Sequence, residues 1–286
     1  MLIYQIMEYT GRRFSMMNTT VWSRVPLFFL MGLVTACDLE KEIEVPLPDY
    51  DEQLVVECYL QDGKPYRMAV TESVSYFEGP RLPIVNNADV NIRYGAEQTE
   101  LRYSLEVDTL YRKAYNYISN RQTQAVQGVD YTLEVKDPKG RAITGTARFL
   151  PEVPIKSVEW KYNDDDFAFL LVKFDDDPSL TNYYRLQIHK DSLNKNADVD
   201  FNLDDSFNTN GEITLGTGYN YQFGDTVYVS LYHIEKSYYD FLETVASAAG
   251  ANGNPFAQPA RVKSTVQGGL GVFATLVYDR KKIVIE

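Results

Sequence analysis

The chain has 286 residues, enough for more than one domain of ordinary size. Its 28 Lys and Arg against 40 Asp and Glu give a formal net charge of −12. Nucleic acid and anionic lipid are bound through basic patches, so this balance argues against both, and we expect no nucleic-acid partner.

The first 36 residues have the composition of a bacterial signal peptide. Three arginines precede the apolar run 25–33, which is shorter than the roughly 20 apolar residues that cross a bilayer but suits a signal-peptide core. The run leads into Leu-Val-Thr-Ala-Cys at 33–37, and small residues just before a cysteine resemble the bacterial lipobox. The resemblance implies that Cys37 is acylated and anchors the protein to a membrane. A plain secretory signal with an incidental cysteine is the alternative.

Residues 37–52 are predicted to form an acidic tether. The segment 38–44 is rich in Asp and Glu, and Pro46 and Pro48 keep the chain extended. An acidic stretch directly after a lipidated cysteine resembles the signal with which Bacteroidetes export lipoproteins to the cell surface. We therefore expect an outer-membrane protein that is lipid-anchored and faces the cell exterior. A tether that is merely solvated is the alternative.

Residues 53–150 are predicted to form a first β-sandwich domain. Apolar and polar residues alternate in short runs, separated by Gly, Asn, Asp and Pro turns. Seven short strands over about 100 residues match an immunoglobulin-like or fibronectin-III-like sandwich. Cys58 lies in the first strand, and we expect a small buried residue there rather than a reactive thiol. The predicted strands are 53–60, 66–73, 88–94, 100–106, 109–116, 130–136 and 143–149.

Two prolines, Pro151 and Pro154, mark the predicted boundary with a second β-sandwich domain at 151–286. Proline removes a donor from a sheet and stiffens a connection. The sequence thus predicts an all-β chain of two tandem sandwiches, with one helix in the second. The predicted strands of the second domain are 155–162, 167–174, 183–189, 212–216, 225–234, 271–278 and 281–285.

The segment 237–249 breaks the alternation and is predicted to be that helix. Its apolar residues recur at helical spacing from Tyr238 to Ala249, with Ser237 as the N-cap and Gly250 as the stop. We expect the helix to seal an edge or an end of the second sandwich. A ligand site along its aromatic stripe is the alternative.

Eight short motifs are spread over nearly all of the chain after residue 37. They lie at 54–57, 128–133, 177–178, 182–185, 224–227, 238–242, 254–256 and 268–273. In this order they resemble the Bacteroidetes lipoprotein family known as domain of unknown function 4249, and Cys58 stands where we expect its glycine. The resemblance implies an outer-membrane lipoprotein, commonly encoded near a TonB-dependent transporter, and it supplies no catalytic residues.

The sequence offers no recognisable catalytic motif. Residues 269–274 match the loose Gly-x-Gly-x-x-Ala dinucleotide pattern, but the 12 residues that follow indicate strand rather than helix. We expect these glycines where backbones approach closely. His189 and His233 lie in strand patterns without a nucleophile motif or a ligand cluster. We therefore expect neither enzyme activity nor a cofactor; a paired-carboxylate glycosidase is the enzyme class left open.

One acidic segment begins like a calcium loop but does not complete one. Asp198, Asp200 and Asp204 are the candidate calcium ligands. Position six is Leu203 instead of glycine and position twelve is Thr209 instead of glutamate, so no EF-hand is predicted. An irregular calcium site and plain solvated turns are both left open.

Tyrosine is the strongest compositional excess, with 22 residues against 2 Trp. Tyrosine suits β-strands, and an exposed ring also stacks on sugars or lines peptide interfaces. Two patches are therefore candidate ligand sites, with ordinary strand and hairpin positions as the alternative. Their members are Tyr219, Tyr221 and Phe223 in one patch, and Tyr111, Tyr115 and Tyr117 in the other.

The expected function is binding, as an accessory to an outer-membrane TonB-dependent transporter in nutrient uptake, with an unidentified ligand. This expectation rests on the family resemblance. A structural or adhesive cell-surface protein with no transport role is the alternative.

Overall fold

Alternation of apolar and polar side chains governs the secondary structure of the described chain. In β1 (Leu54–Gln61) every second residue is buried and its neighbours are partly exposed, as in a strand with one face on a core. The structure, a computed structural model, describes residues 51–75, 81, 83–110, 112–206, 208, 211–251 and 261–286. The predicted signal peptide, Cys37 and nearly all of the tether lie outside the described residues.

The described residues form fifteen strands and one helix, and the all-β, sandwich-like fold is confirmed. We use N-terminal module for β1 to β7 with β14, and C-terminal module for β8 to β13. After β1 the N-terminal module contains β2 (Pro65–Glu72), β3 (Asp89–Tyr94), β4 (Glu97–Asp108), β5 (Lys113–Gln122), β6 (Asp130–Lys136) and β7 (Ala142–Arg148). The remaining elements are β8 (Ile155–Tyr162), β9 (Ala168–Asp175), β10 (Tyr183–Lys190), β11 (Val199–Asp204), β12 (Glu212–Gly216), β13 (Thr226–Ile234), α1 (Lys236–Ala251), β14 (Val266–Gln267) and β15 (Leu270–Val284).

The N-terminal module has two layers joined by a bent strand. The first half of β4 pairs with β3 and the second half with β5, and the register shifts between Tyr103 and Glu106. Strands β1-β2-β5-β4 form one layer and β3-β6-β7-β14 the other. The first core includes the buried rings of Tyr66, Tyr117 and Tyr131.

The C-terminal module has a smaller sheet and a separate core. Strands β12-β9-β8 form the small sheet, and β11-β10-β13 with the end of β15 form the other layer. Phe174, Leu186 and Val229 are fully buried in this second core. The two cores are therefore distinct groups of side chains.

Strand β15 belongs to both modules. Its first part pairs with β1 in parallel, and the part after Leu276 pairs with β13 in antiparallel. One sheet consequently runs without a break through β11-β10-β13-β15-β1-β2-β5-β4. Phe273 and Ile283 of β15 pack in the two cores, whereas Val272 and Ala274 point to the opposite face. We call this opposite face the outer face of the joined sheet.

The change from one core to the other falls at 150–154, where the domain boundary is predicted. Because β15 contributes to both cores, the division into two domains stays a prediction. Three details differ from the sequence expectations. Predicted strands 271–278 and 281–285 are one strand, the predicted strand 109–116 begins only at Lys113, and neither β11 nor β14 was predicted.

The predicted helix is present and is longer than expected. It begins at Lys236, where the Glu235 carbonyl accepts hydrogen bonds from the amides of Tyr238 and Tyr239, so Ser237 lies inside the helix rather than at its cap. It continues through Gly250 to Ala251. The helix packs on the outer face of the joined sheet rather than closing an edge, with Tyr238 in a cluster that includes Tyr232 and Val272.

Candidate functional site

A broad groove lies on the outer face of the joined sheet. Its volume is about 1560 Å³, above the roughly 300–1,000 Å³ of ordinary small-molecule pockets. Side chains from β10, β13, β15, β1, β2 and β5 line its floor, and α1 lines one wall. The groove therefore spans both modules through the shared strand β15.

At the β10 end, an arginine–carboxylate pair is fixed by its neighbours. Arg185 donates two hydrogen bonds to Asp200, at 2.8 and 2.7 Å, and a third to the Tyr238 hydroxyl at 3.1 Å. Gln187 adds a hydrogen bond to Asp200 at 2.9 Å. Burial raises the pKa of the Asp200 carboxyl, but the bidentate Arg185 outweighs it and the pKa is lower than usual. Both charges are thus held rigidly at the groove surface.

The centre of the groove is formed by β13 and β15. Arg280 donates to the Ser230 hydroxyl at 2.7 Å and lies 4.7 Å from the ring centre of Tyr278. The rings of Tyr278 and Tyr232 are 4.9 Å apart. Gln61 of β1 donates to the Tyr278 hydroxyl at 2.9 Å, so β1 and β15 are linked across the groove floor.

At the β5 end, two further cations lie against tyrosine rings. The Lys113 ammonium is 4.3 Å from the Tyr59 ring centre and pairs with Glu57. Arg67 lies 5.9 Å from the Tyr115 ring centre. Burial raises the pKa of Tyr115 to about 12, so its hydroxyl keeps its proton at neutral pH. The Tyr115 hydroxyl can therefore donate a hydrogen bond as well as accept one.

The wall contributed by α1 is aromatic and aliphatic. Tyr238, Phe241, Leu242 and Val245 line the groove. Tyr238 is 3% exposed and meets the Tyr59 ring edge-on, at 5.8 Å between ring centres. The aromatic stripe of the helix thus serves two purposes, since it packs on the sheet and also faces the groove.

The charge of the groove is opposite to that of the chain. Three carboxylates among the described residues line it, those of Glu57, Asp108 and Asp200. Seven basic side chains line it, namely Lys64, Arg67, Arg112, Lys113, Arg185, Lys195 and Arg280. The acids Glu106 and Asp191, which pair with Arg67 and Lys195 beside the lining, leave the basic side chains still in excess.

His189 completes the β10 end of the groove and is neutral at pH 7. Burial, followed by the nearby Arg280, lowers the pKa of the imidazole below its usual value. Its Nδ1 atom is buried and has no hydrogen-bond partner. His233 lies on the other face of the sheet, where its Nδ1 is 2.8 Å from the Pro151 carbonyl. The two histidines therefore do not form a common site.

Of the predicted tyrosine patch at 111–117, the structure brings only one described member to the groove. Tyr115 lines it, whereas Tyr117 is buried in the first core and its hydroxyl accepts a hydrogen bond from the Ala88 amide. Tyr111 lies outside the described residues.

The second predicted patch lies elsewhere, at the turn before β13. Tyr221 is fully buried, and Tyr219 meets the Phe169 ring at 5.0 Å. Phe223 is 78% exposed. None of these three lines the groove among the described residues, so the two patches do not form one surface.

The three calcium candidates have protein partners. One carboxylate oxygen of Asp198 accepts from the Lys190 amide at 2.6 Å, Asp200 is held by Arg185, and Asp204 binds Ser206. Within the described ranges no three His, Cys, Asp or Glu side chains converge as metal ligands. Calcium binding at this segment stays a prediction.

Sequence reasoning missed most of the groove cations. The alternation of Arg185, Gln187 and His189 with apolar residues does place these three on one strand face. Lys113 and Tyr59 come from a distant part of the chain, and their place beside β15 depends on the parallel pairing of β1, which leaves no local pattern. A pattern search along single strands therefore finds one end of the groove only.

The described residues include no helix long and apolar enough to span a membrane.

No curated protein sequence matches the chain. Two solved structures, each described as a cytokine receptor complex, are similar to it at 12% and 14% identity. They cover 64% and 61% of this chain and 86% and 89% of their own, each with a TM-score of 0.25. The model of one family matches residues 40–282, and the chain therefore belongs to the family described as Domain of unknown function (DUF4249).

Proposed function

We propose that the chain is a lipid-anchored binding protein of the outer membrane that holds its ligand in the groove and serves a TonB-dependent transporter. The observation that carries the binding role is the groove itself. Its polar side chains are fixed by one another on a continuous sheet, so they are arranged before a ligand arrives.

The membrane location is supported by the sequence alone. An acylated Cys37 would tether the chain through several lipid chains, and the acidic tether would leave the sheet free in water. Replacing Cys37 with serine is expected to move the protein from the membrane pellet to the soluble fraction, because serine is not acylated. Persistence of the Cys37→Ser protein in washed outer membranes would contradict the anchor.

Transport is tested by affinity purification of the tagged full chain from outer membranes solubilised in mild detergent. Mass spectrometry is expected to recover a TonB-dependent transporter in stoichiometric amount with the wild-type chain. Recovery of the lipoprotein alone, with its anchor intact, would reject the accessory role.

An adhesive role is the second candidate, and exposed aromatic side chains favour it. Phe167, Tyr219 and Phe223 are 38%, 49% and 78% exposed at loops of the C-terminal module. Exposed aromatic residues of this kind are common at protein interfaces. Binding of cells that carry the protein to matrix components, lost in a Phe223→Ser variant, would support adhesion in place of transport.

A further inference from the structure

The local charge of the groove is the first sign of what it binds. Basic side chains outnumber carboxylates seven to three in its described lining, although the whole chain has a net charge of −12. If the charged residues were spread evenly over the surface, the groove would have a net negative charge like the whole chain. A concave surface of the opposite sign concentrates anions from solution, because its field lines converge in the cleft.

The positions of the cations indicate an extended ligand rather than a single ion. Arg280, Lys113 and Arg67 lie against three different tyrosine rings, at 4.7, 4.3 and 5.9 Å from the ring centres. Two of these cations are also paired with carboxylates of the protein, Lys113 with Glu57 and Arg67 with Glu106 and Asp108, so an anionic ligand would compete with these carboxylates at both positions. The three cations stand on β15, β5 and β2, so a ligand that reaches all of them must span several strands.

Neutral polar side chains on the groove floor suit hydroxyl groups. Gln61, Gln187 and the hydroxyl of Tyr278 lie on the groove floor, and each of them both donates and accepts hydrogen bonds. The aromatic wall of α1 offers apolar ring surface beside them. Sugar rings carry hydroxyls at the edge and apolar faces, and they match this alternation of polar and aromatic groups.

An extended peptide fits the groove less well. Peptides that bind to sheets commonly add a strand to an edge and use its free backbone groups. Strands β10, β13, β15 and β1 on the groove floor each have neighbours on both sides, so their backbone donors and acceptors are already used in the sheet. Recognition in the groove must therefore come from side chains.

We infer that the ligand of the groove is an acidic oligosaccharide, whose carboxylate or sulfate groups pair with Arg280, Lys113 and Arg67 and whose hydroxyls meet the glutamines and tyrosines. This inference rests on the proposed binding function and names its ligand class. Arg280 lies at the centre of the site, where it reaches both Ser230 and Tyr278.

Binding to the full chain in mild detergent tests the inference with four fluorescent probes. They are an oligogalacturonate, which carries carboxylates; a heparin fragment, which carries sulfates; a neutral dextran oligosaccharide; and a poly-glutamate peptide. One or both acidic sugars are expected to bind at least about tenfold more tightly than dextran or poly-glutamate, since a charged hydrogen bond typically changes affinity by that factor. Which of the two binds identifies the anionic group.

Two substitutions at Arg280 and one elsewhere locate the binding. Arg280→Gln is expected to weaken the acidic sugar about tenfold or more and to flatten the dependence of binding on salt. Arg280→Lys keeps the charge and is expected to retain part of the affinity, which separates loss of charge from loss of folding. Arg93→Gln is the matched control and should bind as the wild type does, since Arg93 is 54% exposed on β3 and pairs with Glu134.

The outcomes separate this inference from the proposed function. Equal binding of dextran and acidic sugars, preferential binding of poly-glutamate, or wild-type affinity of Arg280→Gln would each overturn the acidic-sugar assignment, even if the transporter is recovered. Acidic-sugar binding that is lost in Arg280→Gln would support the assignment, even if purification recovers no transporter and the accessory role falls.

Discussion

Gly271 is the residue on which the pairing of β15 with β1 depends most directly. Its φ is 122°, and it stands opposite Val56 in the parallel register. A Cβ built at Gly271 would lie 2.8 Å from the carbonyl carbon of Val56 and closer still to its oxygen. The sequence analysis expected the glycines in 269–274 where backbones approach closely. At Gly271 this expectation is confirmed.

Gly271→Ala is expected to lower the free energy of unfolding by about 3 kcal/mol or more, because a strained φ and a clash with backbone add together. Gly224→Ala is the matched control, since Gly224 also has a positive φ, 88°, but has nothing within 4 Å of a new Cβ. Its cost should be about 1 kcal/mol. Denaturant unfolding of both variants measures the difference, and equal losses would show that β15 can move away from Val56.

The two histidines make the stability of the fold depend on pH in a defined direction. Burial lowers the pKa of both His189 and His233 below the usual 6.5 of histidine. Below that value the unfolded chain binds protons that the folded chain refuses, so the free energy of unfolding falls as the pH falls through 6.5. Above it, both states are neutral at these positions and the loss is absent.

We expect a double variant, His189→Gln with His233→Asn, to lose less stability than the wild type between about pH 7.5 and about pH 5.5. Asparagine at position 233 can still donate to the Pro151 carbonyl, which His233 contacts at 2.8 Å. Burial raises the pKa of Glu235, and this opposite contribution is present in both proteins and cancels in the comparison. An identical fall in both proteins would assign the acid sensitivity to other groups.

At the scale of the element, strands with one buried face were the easiest to predict. The strands 130–136, 155–162 and 212–216 coincide with β6, β8 and β12 at both ends. Their alternation reports burial on one side, which is a local property of the sequence.

The same reasoning failed for β15, in which residues on both faces of the strand make specific contacts. The predicted strands 271–278 and 281–285 left Asp279 and Arg280 between them, outside either strand. In the structure the Asp279 carboxylate accepts a hydrogen bond from the Ile155 amide at 2.8 Å, and Arg280 lies in the groove. Polar residues of a strand here bind a neighbouring segment or face the groove, and the sequence alone does not distinguish such residues from those of a turn.

Helix α1 is attached to the sheet chiefly through Tyr238, its one buried residue. Tyr238→Ala is expected to cost about 3 kcal/mol and to raise the rate of amide hydrogen exchange throughout 236–251. Tyr238→Phe keeps the ring and loses the hydrogen bond from Arg185, so its cost should be about 1 kcal/mol. Val245→Ala, at a residue 39% exposed, is the surface control. Unchanged exchange in Tyr238→Ala would mean that other contacts hold the helix.

For the whole molecule, the decisive question is whether the two modules unfold together. Each has its own core, and the core changes at the predicted domain boundary. The continuous sheet opposes independence, because unfolding of either module would strip one half of β15 of its partner strand. The edge left behind would expose unpaired backbone groups, which raises the free energy of a half-folded state.

We therefore expect one cooperative transition in denaturant, seen by two probes. Trp160, in β8, reports on the C-terminal module by fluorescence, because the other tryptophan of the sequence, Trp22, lies in the predicted signal peptide. Cys58, fully buried in β1, reports on the N-terminal module through its rate of thiol labelling once Cys37 is replaced by serine; burial raises the pKa of the Cys58 thiol and keeps it unreactive in the folded chain. Coincident midpoints would establish a single folding unit built on β15. Labelling of Cys58 at a denaturant concentration where Trp160 is still native would instead establish two domains, and the groove would then lie on a junction that can open.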